Sequence, residues 1–324
     1  MKKILGLGNA LTDILLQIES DTILSQIGLP KGSMQLIDEE KVLEISEIFS
    51  GYSKKMAAGG SAANTICGIT KLGGNAGFVG KVGKDQIGEF FCTDLVKNGV
   101  LPQMLRSSNP SGSCTVLVSQ DGERTMCTFL GAASELLPSD LTVEMFRGYD
   151  ILHIEGYLVF NQELIRTAVQ MAKKENLLVS IDLASYNVVE LNLEFLKDIV
   201  SEYVDIVFAN EEEARAFTGL EPYEALFKLS EQCSISVVKV GKDGSYIKSG
   251  DQVLRILPHT VNCIDTTGAG DFYAAGFLYG FSLNLDLKTC GNIGSYVSAK
   301  VVEVLGAKMN QETWIQIKNK VLSL

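Results

Sequence analysis

From about Pro138 onward the chain alternates short apolar runs with longer amphipathic stretches, four times in succession. The runs at 151–154, 178–183, 204–209 and 236–240 are apolar at nearly every position, the mark of strands buried on both faces. The stretches at 162–175, 193–201, 211–218 and 223–232 carry helical periodicity. Parallel strands need long crossovers, and helices supply them. The pattern therefore predicts an α/β protein with a mainly parallel sheet and helices on both faces. In such sheets ligands bind outside the carboxyl ends of the strands.

The N-terminal half has a different rhythm. Residues 4–8 read as a buried strand, and 77–82 followed by 87–97 as a further strand and helix. Ile14, Leu16 and Ile18 alternate with polar or outward positions, so one face of that strand is covered. A turn at Gly28–Gly32 precedes a short strand at 34–37 and a charged helix at 38–49. Segments 114–119 and 124–130 alternate around Gln120-Asp121-Gly122-Glu123, where Asp-Gly signals a hairpin. Helices are predicted again at 62–72, 287–305 and 312–322. The hairpin-rich pieces, 13–37 and 105–132, do not fit the α/β alternation. They are expected to pair into a small β lid over an α/β domain made of 1–12, 38–104 and 133–324.

Composition removes several function classes. With 46% apolar residues the chain can fill a core. A net charge of −11 opposes a nucleic-acid surface. The seven cysteines are dispersed without a Cys-x-x-Cys pair, so a disulfide framework or zinc site is not expected. Asn9, Thr12 and Asp13 interrupt the N-terminal apolar run, which reads as a strand and not a signal peptide. No stretch spans a bilayer. A cytoplasmic protein is expected.

The most informative short stretch is Asp265-Thr266-Thr267-Gly268-Ala269-Gly270-Asp271, leading into an apolar run that reads as a buried helix. Glycines at a helix start bring free N–H groups close to an anion. Asp271 puts a carboxylate in the same turn, where phosphate alone would not favour one. A base for a hydroxyl proton, beside amides that receive a phosphoryl group, accounts for both. Gly59-Gly60-Ser61-Ala62-Ala63-Asn64 forms a second glycine turn at a helix start, with Ser61 as an alternative N-cap. Asn210-Glu211-Glu212-Glu213 has the spacing of a capping box, which on physical grounds alone is its first reading. Gly241 and Gly244 bracket a turn after a strand. The dinucleotide and Walker fingerprints are incomplete, and two histidines, His153 and His259, leave little material for a Ser-His-Asp hydrolase. His153 sits in an apolar strand and reads as core.

Together these motifs resemble, in order and spacing from Asn9 to Gly306, the PfkB or ribokinase family of sugar and nucleoside kinases. The resemblance implies a ribokinase-like fold and phosphoryl transfer from ATP with Mg²⁺. It implies Asp271 as catalytic base and the amides of Gly268, Ala269 and Gly270 as anion hole. It implies acceptor binding by Asn9, Asp13, Gly59, Gly60, Ser61 and Asn64, and ATP binding by Asn210, Gly241, Gly244, Thr266, Gly268 and Gly270. Asn210 and Glu213 match a motif that helps hold magnesium, mostly through water. Asp265 matches a ligand for a monovalent cation, so K⁺ is a further expectation. Within the family the stretches 8–13, 34–37, 110–114 and 203–207 look like adenosine kinase. That likeness points to Gln35 as a base contact, with Tyr157 and Tyr186 near positions that stack on a purine. Ser295 departs from the Asn or His that relatives place near the adenine of ATP. The implied acceptor is a ribonucleoside or a sugar; a free-sugar kinase and a non-catalytic binding module on the same scaffold are the alternatives. Monomer and homodimer are both compatible with the resemblance.

Overall fold

The computed structural model describes residues 1–323. Fourteen strands are described: β1 (Lys3–Leu7), β2 (Leu11–Gln17), β3 (Met34–Leu36), β4 (Lys54–Gly59), β5 (Asn75–Gly83), β6 (Leu101–Ser107), β7 (Gly112–Val118), β8 (Arg124–Phe129), β9 (Ile151–Glu155), β10 (Leu178–Asp182), β11 (Ile206–Asn210), β12 (Ile235–Lys239), β13 (Ser245–Ser249) and β14 (Gln252–Ile256). Nine form one sheet in the order β14-β13-β12-β11-β10-β9-β1-β5-β6. Its strands from β12 to β6 are all parallel, and β13 and β14 close one edge antiparallel. The α/β expectation therefore holds.

Side chains alternate across this sheet as the pleat requires. Leu5, Leu152, Val179 and Val207 pack on one face under the helices Gln162–Lys174, Leu193–Tyr203 and Glu211–Thr218. Ile4, Phe78, Ile151 and Phe208 pack on the other, under Ser61–Leu72 and Ala269–Ser282. The strand order reverses at β1, which lies between β5 and β9. Such a switch point leaves a crevice at the carboxyl ends of the two diverging strands.

The other five strands form a small sheet, β3-β8-β7-β2-β4. Its register decides what each face does. Asp13 pairs with Cys114, and Cys114 with Thr128, which pairs with Leu36. Leu15, Val116, Met126 and Met34 follow on the same face. The opposite face carries Leu16, Leu117 and Cys127, buried against Leu24, Ile45 and Phe49 from the two short helical segments at 22–49.

Two strands depart from the sequence reading. Residues 54–59, expected in the α/β part, form β4, the edge of the small sheet paired with β2. Lys-Lys-Met-Ala-Ala-Gly lacks β-branched and aromatic residues, so only its partner makes it a strand. Residues 105–107, expected in the lid, belong to β6, which pairs with β5 at the edge of the large sheet. Pro102 is tolerated there because an edge strand need not donate on both sides. The helix expected at 287–305 ends at Val301.

Candidate active site

Four consecutive parallel strands end in polar residues: Glu155 on β9, Asp182 on β10, Asn210 on β11 and Lys239 on β12. All four lie at the carboxyl edge of the sheet. The helix Ala269–Ser282 starts beside them. Its N-cap is Gly268, with φ 77°, and no side chain caps it. A Cβ on Gly268 would come within 2.8 Å of the Ala307 Cβ, so glycine is needed both for conformation and for space. The amides of Gly268 and Gly270 have no acceptor among the described residues, whereas Ala269 N–H donates to the Thr266 carbonyl at 3.1 Å. Two of the three expected anion-hole amides are therefore open, and the third is engaged in the turn of the loop.

Asp271 is held from the other glycine turn. Ser61 Oγ donates to its Oδ1 at 2.7 Å and Asn64 Nδ2 to its Oδ2 at 3.0 Å. Thr65 Oγ1 donates to the Asp271 carbonyl. Lys308 Nζ donates to Asn64 Oδ1 at 3.3 Å, which sets the orientation of that amide. Burial raises the Asp271 pKa to about 6, while the Ser61 and Asn64 hydrogen bonds restrain the rise. A carboxylate with this pKa is ionised near neutrality yet more basic than a surface aspartate. Ser61 and Asn64, expected on the acceptor, are thus engaged with the carboxylate.

Asn9 is also spent within the protein. Its backbone N–H and Nδ2 both donate to Glu155 Oε1, at 2.9 and 2.7 Å, and Ala62 N–H donates to Oε2 at 2.9 Å. Glu155 ties the end of β1 to the start of helix Ser61–Leu72 across the switch point. Burial raises its pKa to about 7, against the three hydrogen bonds. Gly60, with φ 91°, faces the Asn9 carbonyl at 2.4 Å from where its Cβ would be.

Asp13 lies on the inner face of the small sheet, and burial raises its pKa to about 6, offset in part by Lys308 and Arg124. A Cβ on Gly59 would overlap this carboxylate, at 2.3 Å from Oδ1. A cavity of about 440 Å³ adjoins it, bordered by Leu15, Val116, Met126, Arg124 and Lys308. Gln35 is a correction. Its pairing with Cys127, and of Cys127 with Thr115, puts it on the opposite face from Asp13. Neighbours in a strand point to opposite sides, so Met34 and Leu36 take the inner face instead. Both are exposed.

Asn210 and Glu213 form a complete capping box. Glu213 N–H donates to Asn210 Oδ1 at 2.8 Å, while Asn210 N–H and Nδ2 donate to the two Glu213 oxygens at 2.8 and 2.7 Å. Burial, then Asp182, raises the Glu213 pKa to about 7. Among the described residues no three metal-ligating side chains come together, and Asn210 and Glu213 are engaged with each other. Asp265 is engaged within the protein. Its Oδ1 accepts from Thr267 N–H and Oγ1, and its Oδ2 accepts from Gly306 N–H and faces Arg124 Nη2 at 2.7 Å. The Arg124 contact is an ion pair and not a hydrogen bond, and no step is assigned to potassium.

Gly244, with φ 95°, leaves no room for a Cβ beside the Ile256 carbonyl, and Gly241 has φ 51°. Ser295 Oγ donates to the Leu257 carbonyl. Tyr157 reaches the Ala184 carbonyl only at 3.5 Å, and Tyr186 is exposed. His153 is core, its Nδ1 facing Ser180 Oγ, and burial lowers its pKa to about 4. Arg124, Glu155, Asp182 and Lys239 were not singled out from sequence. Three of them are the last residues of apolar strands, a signal that was available.

A buried carboxylate, open amides at a helix start and a buried charged edge at a switch point are in keeping with a phosphotransferase of the ribokinase-like fold. The chain belongs to the pfkB family of carbohydrate kinases, whose model matches residues 35–314. It is similar to a probable sugar kinase from Rhizobium etli, at 31% identity and TM-score 0.87, covering 99% of both chains. It is similar also to the adenosine kinase of Sinorhizobium meliloti, at 32% identity and TM-score 0.86, covering 98% of this chain and 99% of the other. Adenosine kinase 2 of Arabidopsis thaliana is 26% identical, with 94% of each chain covered. No helix among the described residues is long and apolar enough to cross a membrane.

Proposed function

We propose that the chain transfers the γ-phosphoryl group of ATP to a primary hydroxyl of a ribonucleoside, the 5′-hydroxyl of an adenosine-like acceptor. The observation that carries the reading is the placement of Asp271, fixed by Ser61 and Asn64 one turn from the open amides of Gly268 and Gly270. Asp271 takes the hydroxyl proton as attack begins, and the amides hold the phosphoryl oxygens. Asp13 accepts from ribose hydroxyls, and Gly59 leaves room for that carboxylate. Gly60 lets the acceptor approach the backbone. Mg²⁺ bound to the nucleotide would neutralise phosphate charge, with Asn210 and Glu213 placed to order its waters. Thr266, Gly241 and Gly244 line the nucleotide side. Asp265 orders the loop through Thr267, Gly306 and Arg124. Residues 13–37, 54–59 and 112–130 act as a lid that closes over the acceptor.

Identity does not separate nucleoside from free sugar, because the two similar solved structures are named for one of each at almost equal identity. The small sheet favours the nucleoside. Its inner face offers Leu15, Met34, Leu36, Val116 and Met126 beside Asp13, an apolar shelf suited to a flat base. A free sugar would present hydroxyls there without partners. The test is ATP consumption across a panel of nucleosides and free sugars. Turnover highest with purine ribonucleosides supports the reading, and turnover confined to free sugars overturns it. Leu36→Ala is expected to raise the nucleoside KM roughly tenfold, from loss of apolar contact. Gln35→Ala is expected to leave it unchanged.

A further inference from the structure

The segment that follows helix Leu287–Val301 returns to the catalytic edge. Gly306 N–H donates to Asp265 Oδ2 at 2.7 Å, and the Ala307 Cβ lies 2.8 Å from where a Cβ on Gly268 would stand. Ala307 and Met309 are buried with Phe272 and Trp314, which fixes the backbone on either side of Lys308. The Lys308 Nζ donates to Asn64 Oδ1 at 3.3 Å and has no second partner among the described residues. Asn64 Nδ2 in turn donates to Asp271 Oδ2 at 3.0 Å. The two ends of an amide have nearly the same shape, so shape alone does not decide which end meets a carboxylate. A cation against Oδ1 does decide it. A flipped amide would set its NH₂ group against the ammonium and its oxygen against Asp271. Lys308 also borders the cavity beside Asp13. Burial raises the Asp13 pKa, and Lys308, then Arg124, lower it. Arg124 is paired with Asp265, whereas Lys308 is in no ion pair among the described residues.

We propose that Lys308 is a positioning residue for the transfer: one ammonium holds Asn64 with its NH₂ group toward Asp271 and stands as counter-charge to the acceptor-binding carboxylate of Asp13. It acts on Asp271 only through Asn64, and on Asp13 across the cavity that both border. The base and the acceptor carboxylate, which lie on different elements, are thereby set by the same side chain. This rests on the reading of Asp271 as base and of Asp13 as acceptor contact.

The experiment measures steady-state kinetics of Lys308→Met and Lys308→Arg with ATP and the preferred acceptor of the panel, from about pH 5 to 8. Lys308→Met is expected to lower kcat by about 10- to 10²-fold, the scale of a displaced catalytic group. The acceptor KM rises several-fold, while the KM for ATP stays within about threefold of the parent's. Removing the cation raises the Asp13 pKa further, so the acid limb of kcat/KM for the acceptor moves to higher pH. Lys308→Arg keeps the charge and the donors and recovers most of the kcat. Asn64→Ala/Lys308→Met is read against Asn64→Ala, where the lysine has no amide left to hold and its loss is expected to cost no further kcat. A loss of undiminished size in that background would overturn the proposal. So would an unmoved acid limb in Lys308→Met, whether its kcat is retained or falls together with the melting temperature. Should Lys308→Met fail to melt cooperatively, Lys308→Gln, which keeps length and polarity without the charge, takes its place. Asp271→Asn serves as the control: if it remains active the underlying reading is lost, and if it is inactive while Lys308→Met is fully active only the lysine is.

Discussion

Two helices start at the same carboxyl edge of the sheet, and both starts were marked as sites in the sequence. The helix Glu211–Thr218 closes on itself: Asn210 and Glu213 satisfy each other through three hydrogen bonds. The helix Ala269–Ser282 stays open, with glycine at its N-cap and no side-chain acceptor for its first amides. Ser61–Leu72 also has a glycine, Gly60, at its N-cap, but Glu155 Oε2 accepts from its Ala62 N–H. Asp38, Asp85, Asn161, Asp286 and Asn310 cap other helices in the ordinary way. Uncapped amides cost stability, and a protein retains them where a ligand completes them. The start closed by its own capping box holds structure, whereas the open one carries Asp271 in its first turn, held by Ser61 and Asn64.

The largest effect expected at the open start is that of Asp271→Asn. The amide keeps a hydrogen-bonding shape for Ser61 and Asn64 but accepts no proton, so kcat falls about 10²–10⁴-fold. Steady-state kinetics with ATP and a ribonucleoside measure it. Turnover close to the parent's would reduce Asp271 to a dipole partner and erase the contrast.

Gly268→Ala comes next. A side chain at φ 77° is strained, and its Cβ would press on Ala307. The expected cost is about 1–3 kcal/mol in stability. Displacing the loop is expected to lower kcat by up to roughly 10²-fold. Chemical denaturation and kinetics on one preparation separate the two effects.

The pH dependence sharpens the comparison further. Asp271 has a folded pKa of about 6, above its ordinary 3.8. Below about pH 6 the base is protonated, so kcat/KM is expected to fall about tenfold per pH unit. Stability runs the other way. A raised pKa contributes stability that is complete below 3.8 and lost as pH rises through about 6. The Asp271→Asn protein lacks this loss. Its stability relative to the parent is expected to improve between pH 4 and 7.5, by on the order of 2–3 kcal/mol. Melting curves at the two pH values test it; a constant difference would mean the carboxylate is not strained by burial.

Asn210→Ala, at the closed start, is expected to have the smallest effect: about 1 kcal/mol of stability from the lost cap. Its kcat with saturating ATP and Mg²⁺ is expected to stay within a few-fold of the parent. A loss like that of Asp271→Asn would show that the water-ordering part of the capping box is essential to the chemical step.

Much of the fold was legible because its signals are local. Unbroken apolar runs marked buried parallel strands, and glycine turns marked the helix starts at Gly60 and Gly268. Gln35 shows where local reasoning stops: a strand of three residues has two faces, and only its pairing with β8 says which one meets Asp13. β4 was invisible for a related reason, since a run of lysine, methionine and alanine becomes a strand through its partner β2. The sequence by itself determined the α/β layering, the glycine loops and Asp271 as a base candidate, because these follow from periodicity and from backbone freedom within a few residues. Only the tertiary structure decided that Ser61 and Asn64 hold Asp271, that Arg124 pairs with Asp265, and that Lys239 stands over Gly270. Those pairs are separated by tens to hundreds of residues in the chain. Their chemistry depends on distances of about 3 Å, which hydrogen bonds and ion pairs require and no local pattern encodes.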